Sequence, residues 1–110
     1  MSLCDYEAII FGIISTSGSA KSTAYEALRE AKQGNFIQAR ETLKEAEDIL
    51  GGLHIQQMAL IQKETNGEAN EFSVLLVHAL DIMMDSMAVR DLVSELIDLY
   101  EAIDDLKGKK

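Results

Sequence analysis

Between Ser73 and Val89 the chain reads Ser-Val-Leu-Leu-Val-His-Ala-Leu-Asp-Ile-Met-Met-Asp-Ser-Met-Ala-Val, an apolar run whose side-chain chemistry is concentrated in one histidine and two aspartates. Neutral imidazole is a good nucleophile at pH 7 and holds a phosphoryl group transiently as a labile phosphoramidate. That use of His78 requires one exposed ring nitrogen and an acceptor that fixes the other. At about 100° per residue, His78, Asp81 and Asp85 share a narrow sector of a helix, which puts negative charge one and two turns from the ring. The competing reading makes His78 a core residue with one satisfied hydrogen bond.

Asp81 admits a second use. Were a three-fold axis to pass near it, three copies would bring three carboxylates together in apolar surroundings, where their repulsion calls for a hard divalent cation. Otherwise Asp81 faces a cavity or pairs with a lysine or arginine. His54, in Leu53-His-Ile-Gln-Gln57, reads as a structural hydrogen-bonding residue. Ser15-Thr-Ser-Gly-Ser19 is either a packing notch or a source of hydroxyls and amides, around Gly18 and Ser19, for a phosphate. No Walker loop, His-Glu-x-x-His or Gly-x-Ser-x-Gly occurs, so hydrolase and nucleotide-dependent kinase chemistry lacks its residues.

These residues need a scaffold, and the composition predicts helices. Of 110 residues 47% are hydrophobic, with no proline or tryptophan, which favours packing by Leu, Ile, Ala and Met. The length suits one domain, 1–110, with a modest core. A net charge of −9 repels nucleic acid and anionic lipid and favours either solubility or a basic partner surface. Cys4 is the sole cysteine, so neither an intramolecular disulfide nor a Cys-x-x-Cys site is expected. The apolar runs are too short for a membrane span and no secretory signal is recognisable, so a cytoplasmic location without membrane insertion is expected.

Helical spacing predicts three helices, over about 5–33, 35–64 and 70–106. In the first, Ala8, Ile9, Phe11, Gly12, Ile13, Ala20, Ala24, Ala27, Leu28 and Ala31 follow that spacing. Gly34-Asn35 supplies a stop and then a cap. Phe36, Ala39, Leu43, Ala46, Ile49, Leu50, Leu53, Gln57, Leu60 and Ile61 mark the inner face of the second. Gly51-Gly52 implies a bend or a close neighbour, and Thr65-Asn-Gly-Glu-Ala-Asn70 a loop. In the third, Phe72, Leu75, Ala79, Ile82, Ser86, Val89, Val93, Leu96, Tyr100 and Ile103 form a coiled-coil seam. Leu76, Leu80, Met83 and Met87 form a second stripe. Two seams on one helix, greasy over most of its circumference, predict that copies of the chain meet along it.

The blocks Ile13-Ile-Ser15, Gly18-Ser-Ala-Lys-Ser22, Ala24-Tyr-Glu-Ala-Leu28, Ala31-Lys-Gln-Gly-Asn-Phe36, Leu60-Ile-Gln-Lys-Glu64 and Leu75-Leu-Val-His-Ala79, together with Asp81, span nearly the whole chain. In these blocks the sequence resembles the lactose/cellobiose-type IIA component of the bacterial phosphoenolpyruvate-dependent sugar phosphotransferase system. The resemblance implies an all-α antiparallel three-helix bundle that assembles as a homotrimer. It also implies a transferase role in which His78 accepts a phosphoryl group on Nε2 from the phosphocarrier HPr. His78 then passes it to a cysteine of the IIB component, which serves uptake of a disaccharide through the IIC permease. Asp81 would gather on the trimer axis around a divalent metal, usually magnesium.

Three positions depart from the family pattern. Leu80 and Ile82 stand where glutamine and histidine are frequent, and Met58 stands where threonine is common. Any hydrogen bond those polar groups give near the site is lost here. The rival to a phosphoryl carrier is a helical oligomeric scaffold or regulatory paralogue, in which His78 has no covalent chemistry.

Overall fold

In the computed structural model, residues 3–67 and 74–108 are described. They form α1 (Leu3–Lys32), α2 (Phe36–Thr65) and α3 (Val74–Gly108). The expected start of the third helix near residue 70, seam residue Phe72 and the far part of the 65–70 loop lie outside the described residues. The Ser15–Ser19 patch and Gly51-Gly52 do not interrupt their helices. A Cβ built at Gly18, Gly51 or Gly52 meets nothing within 4 Å, so none of them is a notch for a neighbouring helix of this chain.

Short connections force neighbouring helices antiparallel. The turn after α1 uses Gly34 at φ +85°, the left-handed conformation that glycine reaches without steric cost. Its N–H donates to the Ala31 carbonyl, and that of Asn35 to the Glu30 carbonyl. Asn35 is the N-cap of α2, but its side chain makes no capping bond; its carbonyl accepts from Ala39 N–H at 2.9 Å.

Two packed layers establish an up–down–up course. Tyr6, Ile10 and Ile13 of α1 meet Leu50 and Leu53 of α2 and Ala79 and Met83 of α3. Further along, Ala24, Ala27 and Ala31 meet Ala39, Leu43 and Ala46, then Val93 and Ile97. Hence α1 and α3 run parallel, and the rod measures 64 × 21 × 20 Å. The second layer is built largely of alanine, so the helices approach closely there. Ala46 is fully buried, and Ala46→Leu should destabilise the fold by about 1–3 kcal/mol through overpacking. A lower denaturant midpoint at constant m-value would register it.

Polar contacts fix how the helices sit against one another. Ser17 and Ser86 are fully buried, and Ser86 Oγ lies 2.9 Å from both the Ser17 and Ile82 carbonyls, to which it donates. These small side chains set the level of α3 against α1. Lys21 Nζ lies 2.7 Å from Asp85 across the same pair of helices. Arg40 of α2 reaches Glu101 at 2.9 Å and Asp98 at 3.0 Å on α3. Its pKa is held above the usual value by hydrogen bonds, first to Glu101 and then to Asp98. All three ion pairs are solvent-exposed, so burial of the apolar layers carries most of the stability.

Apart from Ile103, which is exposed, the described residues of the two stripes expected on α3 face this protomer. Ala79, Ser86 and Val93 of the first are buried, and Leu75, Ile82, Val89, Leu96 and Tyr100 are half-buried. Met83 of the second is buried, and Leu76, Leu80 and Met87 pack against the lower layer. Much of the second stripe is therefore taken up by this chain's own core. On the other helices Ala8, Phe11 and Ile61 are exposed, against the inner positions expected for them.

Candidate phosphoryl-transfer site

The side of α3 turned away from α1 and α2 is apolar as well. Val74, Val77, Met84, Leu92, Leu99, Ile103 and Leu106 are 39–79% exposed, and with Asp81 they fall within about 100° of helix circumference. Of this third stripe only Ile103 belongs to the seams read in the sequence. Those were traced through the most regular spacing, and a helix surrounded by apolar residues offers several such tracings. Asp81 lies in the middle of the stripe, exposed, with no hydrogen bond or ion pair to the described residues.

His78 precedes Asp81 by three residues, which rotates it about 60° around the helix. The direction is toward α1, since Asp85, displaced from Asp81 to the same side, is the residue that Lys21 reaches. The imidazole therefore stands at the shoulder between the exposed stripe and α1. It is exposed, and neither ring nitrogen bonds to a described residue. A sealed core histidine is excluded. The acceptor expected to fix one nitrogen is not provided within the described part of the protomer, by Asp81, Asp85 or any other group.

Parallel helices carry this register toward the N-terminal end of α1. In the register of the Ser17–Ser86 contact, His78 comes level with half-buried Ile9 and near the level of Phe11, which is 57% exposed. An open imidazole is thus bordered by apolar surface on α1 and α3. The Gly18 and Ser19 amides lie inside a continuous helix, so they are not free for a phosphate. The Ser19 carbonyl accepts a 2.9 Å bond from Thr23 Oγ1.

The remaining candidates separate from this site. His54 is exposed on α2 and makes no hydrogen bond to the described residues, so the structural bond expected for it is absent. Leu80 packs against the lower core layer, which accounts for an apolar residue there, and Ile82 is half-buried. Met58 is an exposed residue of α2. A groove of about 370 Å³ between α1 and α2 is lined by Ile9, Gly12, Ala59, Leu60 and Lys63, away from the shoulder that carries His78. Among the described residues no three His, Cys, Asp or Glu side chains of one chain converge to hold a metal. No described helix is long and apolar enough to cross a membrane.

Comparison with known proteins agrees with this architecture. Residues 8–101 match the family described as the PTS system, lactose/cellobiose-specific IIA subunit. The lichenan-specific phosphotransferase enzyme IIA component of Bacillus subtilis is 42% identical over 104 residues, 94% of each chain. The N,N'-diacetylchitobiose-specific EIIA component of Escherichia coli K12 is 38% identical over 99 residues, 90% of this chain and 85% of that one. Among solved structures, the PTS cellobiose-specific enzyme IIA from Bacillus anthracis superposes with a TM-score of 0.87 at 42% identity, covering 96% of this chain and 94% of the other. The IIA(chitobiose) of the E. coli IIA–HPr complex gives 0.80 at 38% identity, over 89% and 95%. The up–down–up bundle and the family match over most of its length agree, and the chain belongs to the lactose/cellobiose-specific IIA family, transferase components of the sugar phosphotransferase system.

Proposed function

We propose that this chain is a cytoplasmic phosphoryl carrier in which His78 Nε2 takes a phosphoryl group from phospho-HPr and delivers it to a cysteine of the IIB component. The observation that carries the reading is the open imidazole of His78, bordered by apolar surface. The HPr complex formed by the related IIA(chitobiose) supports the choice of donor. The Nε2 lone pair attacks phosphorus in line while the bond from phosphorus to the donor breaks. A IIB thiolate then attacks the same phosphorus and the N–P bond breaks, which returns neutral imidazole. Catalysis comes chiefly from positioning and charge stabilisation. The cargo class is a β-linked or related disaccharide such as cellobiose or chitobiose, in keeping with the names of the relatives.

The protein is treated with phosphoenolpyruvate, enzyme I and HPr and then analysed by mass spectrometry. An acid-labile, base-stable gain of one phosphoryl mass on His78 is expected. Unchanged mass with a competent donor would instead favour the helical scaffold.

The exposed stripe of α3 supports a homotrimer with three such helices at its centre. Asp81, without a partner among the described residues and set amid that stripe, has the donor chemistry for a hard cation such as magnesium, three carboxylates from three copies supplying the oxygens. Bound there, the ion would neutralise clustered carboxylates; the phosphoryl chemistry stays with the imidazole. Chelation of divalent ions should therefore lower the melting temperature of the wild-type assembly and leave that of Asp81→Leu unmoved. Equal sensitivity of the two in calorimetric scans would exclude Asp81 as the ligand.

A further inference from the structure

Positive charge is scarce around His78. No lysine or arginine occurs at positions 3–20, 45–62 or 74–89, and with Asp81 assigned above to a cation on the trimer axis, Asp85 is the carboxylate left on the surface that must receive a phosphoryl dianion. Lys21 is the cation that α1 places on this face, with its Nζ 2.7 Å from Asp85 Oδ2. Asp85 lies seven residues beyond His78, about 10 Å along the same side of the helix.

We infer that Lys21 is a positioning residue for phosphoryl transfer at His78: held by Asp85, it cancels a carboxylate that would otherwise repel the incoming phosphoryl group. The inference rests on the phosphoryl-carrier reading of His78. Lys21 does not touch the phosphate; at this distance it acts through the field of Asp85. Each unit charge at about 10 Å alters an interaction with another by a factor of about two in water, and by more where the contact excludes water. The phosphoryl group carries close to two charges, so the summed effect of uncovering Asp85 is about three- to five-fold. It should fade as salt shortens the screening length to about 3 Å at 1 M.

A merely structural tie between α1 and α3 would behave differently, because its loss would follow stability and not charge. The test measures single-turnover phosphorylation at phospho-HPr concentrations well below saturation in wild type, Lys21→Met, Lys21→Arg, Asp85→Asn and the double variant Lys21→Met/Asp85→Asn, with melting temperatures recorded for each. Lys21→Met should slow transfer three- to five-fold at low salt and by less than two-fold at 1 M. Lys21→Arg should retain the wild-type rate, and adding Asp85→Asn to Lys21→Met should restore most of it. Four results would overturn the inference: an unchanged Lys21→Met rate, a salt-independent loss, no recovery in the double variant, or rates that track melting temperature. Failure of wild type itself to accept phosphate would defeat the carrier reading and is seen separately.

Discussion

His78→Ala should abolish phosphorylation by phospho-HPr, a drop of about a thousand-fold or more to the background of the assay, because the atom proposed to form the N–P bond is gone. The fold should not notice. His78 is exposed and bonds to no described residue, so stability is expected to stay within about 0.5 kcal/mol of wild type, as for surface substitutions generally. His54→Ala is the matched control, also an exposed histidine on a helix, and should accept phosphate at the normal rate. Retention of label in His78→Ala would move the chemistry elsewhere, with His54 the remaining imidazole.

Leu92→Lys should convert the proposed homotrimer to monomers. In an isolated bundle this leucine is 63% exposed, and a lysine there would be close to neutral for stability. With three α3 helices packed through the same stripe, three ammonium groups would meet near one axis, desolvated and mutually repelling. Loss of apolar burial adds about 1.5–3 kcal/mol for each leucine removed from contact. Sedimentation at micromolar concentration should show one-third of the wild-type mass with helical circular dichroism retained. An unaltered mass would place the interface on another face.

Much of this was legible in the residues. Gly34-Asn35 marked the first turn because glycine at a left-handed position is a local requirement, independent of the rest of the chain. The helix ends fell within one or two residues of those expected for α1, α2 and the C-terminal end of α3. His78 stood out because a polar group in an apolar run has few reasons to be there. The orientation of α3 was harder to read. Leu76, Leu80, Met83 and Met87 have the spacing of an interface, yet they turn inward, since two neighbouring helices of the same chain cover a wide arc of α3. The outward stripe contains Asp81, Ala88 and Glu95 among its apolar members, which broke its periodicity in sequence. Lys21 with Asp85 was also not anticipated. Two residues far apart in the chain meet only because α1 and α3 run parallel with a fixed stagger, a property that Ser17 and Ser86 set by their small size.

That parallel course also separates the ends of the rod by task. The imidazole sits four residues into α3, whereas Gly108 ends that helix about 45 Å away along the axis. A fluorophore, affinity tag or fused partner joined at the far pole would leave docking of a donor undisturbed, while the same cargo attached ahead of α1 would crowd the reacting end. Probes intended to follow turnover belong on the first site, and those intended to block it on the second.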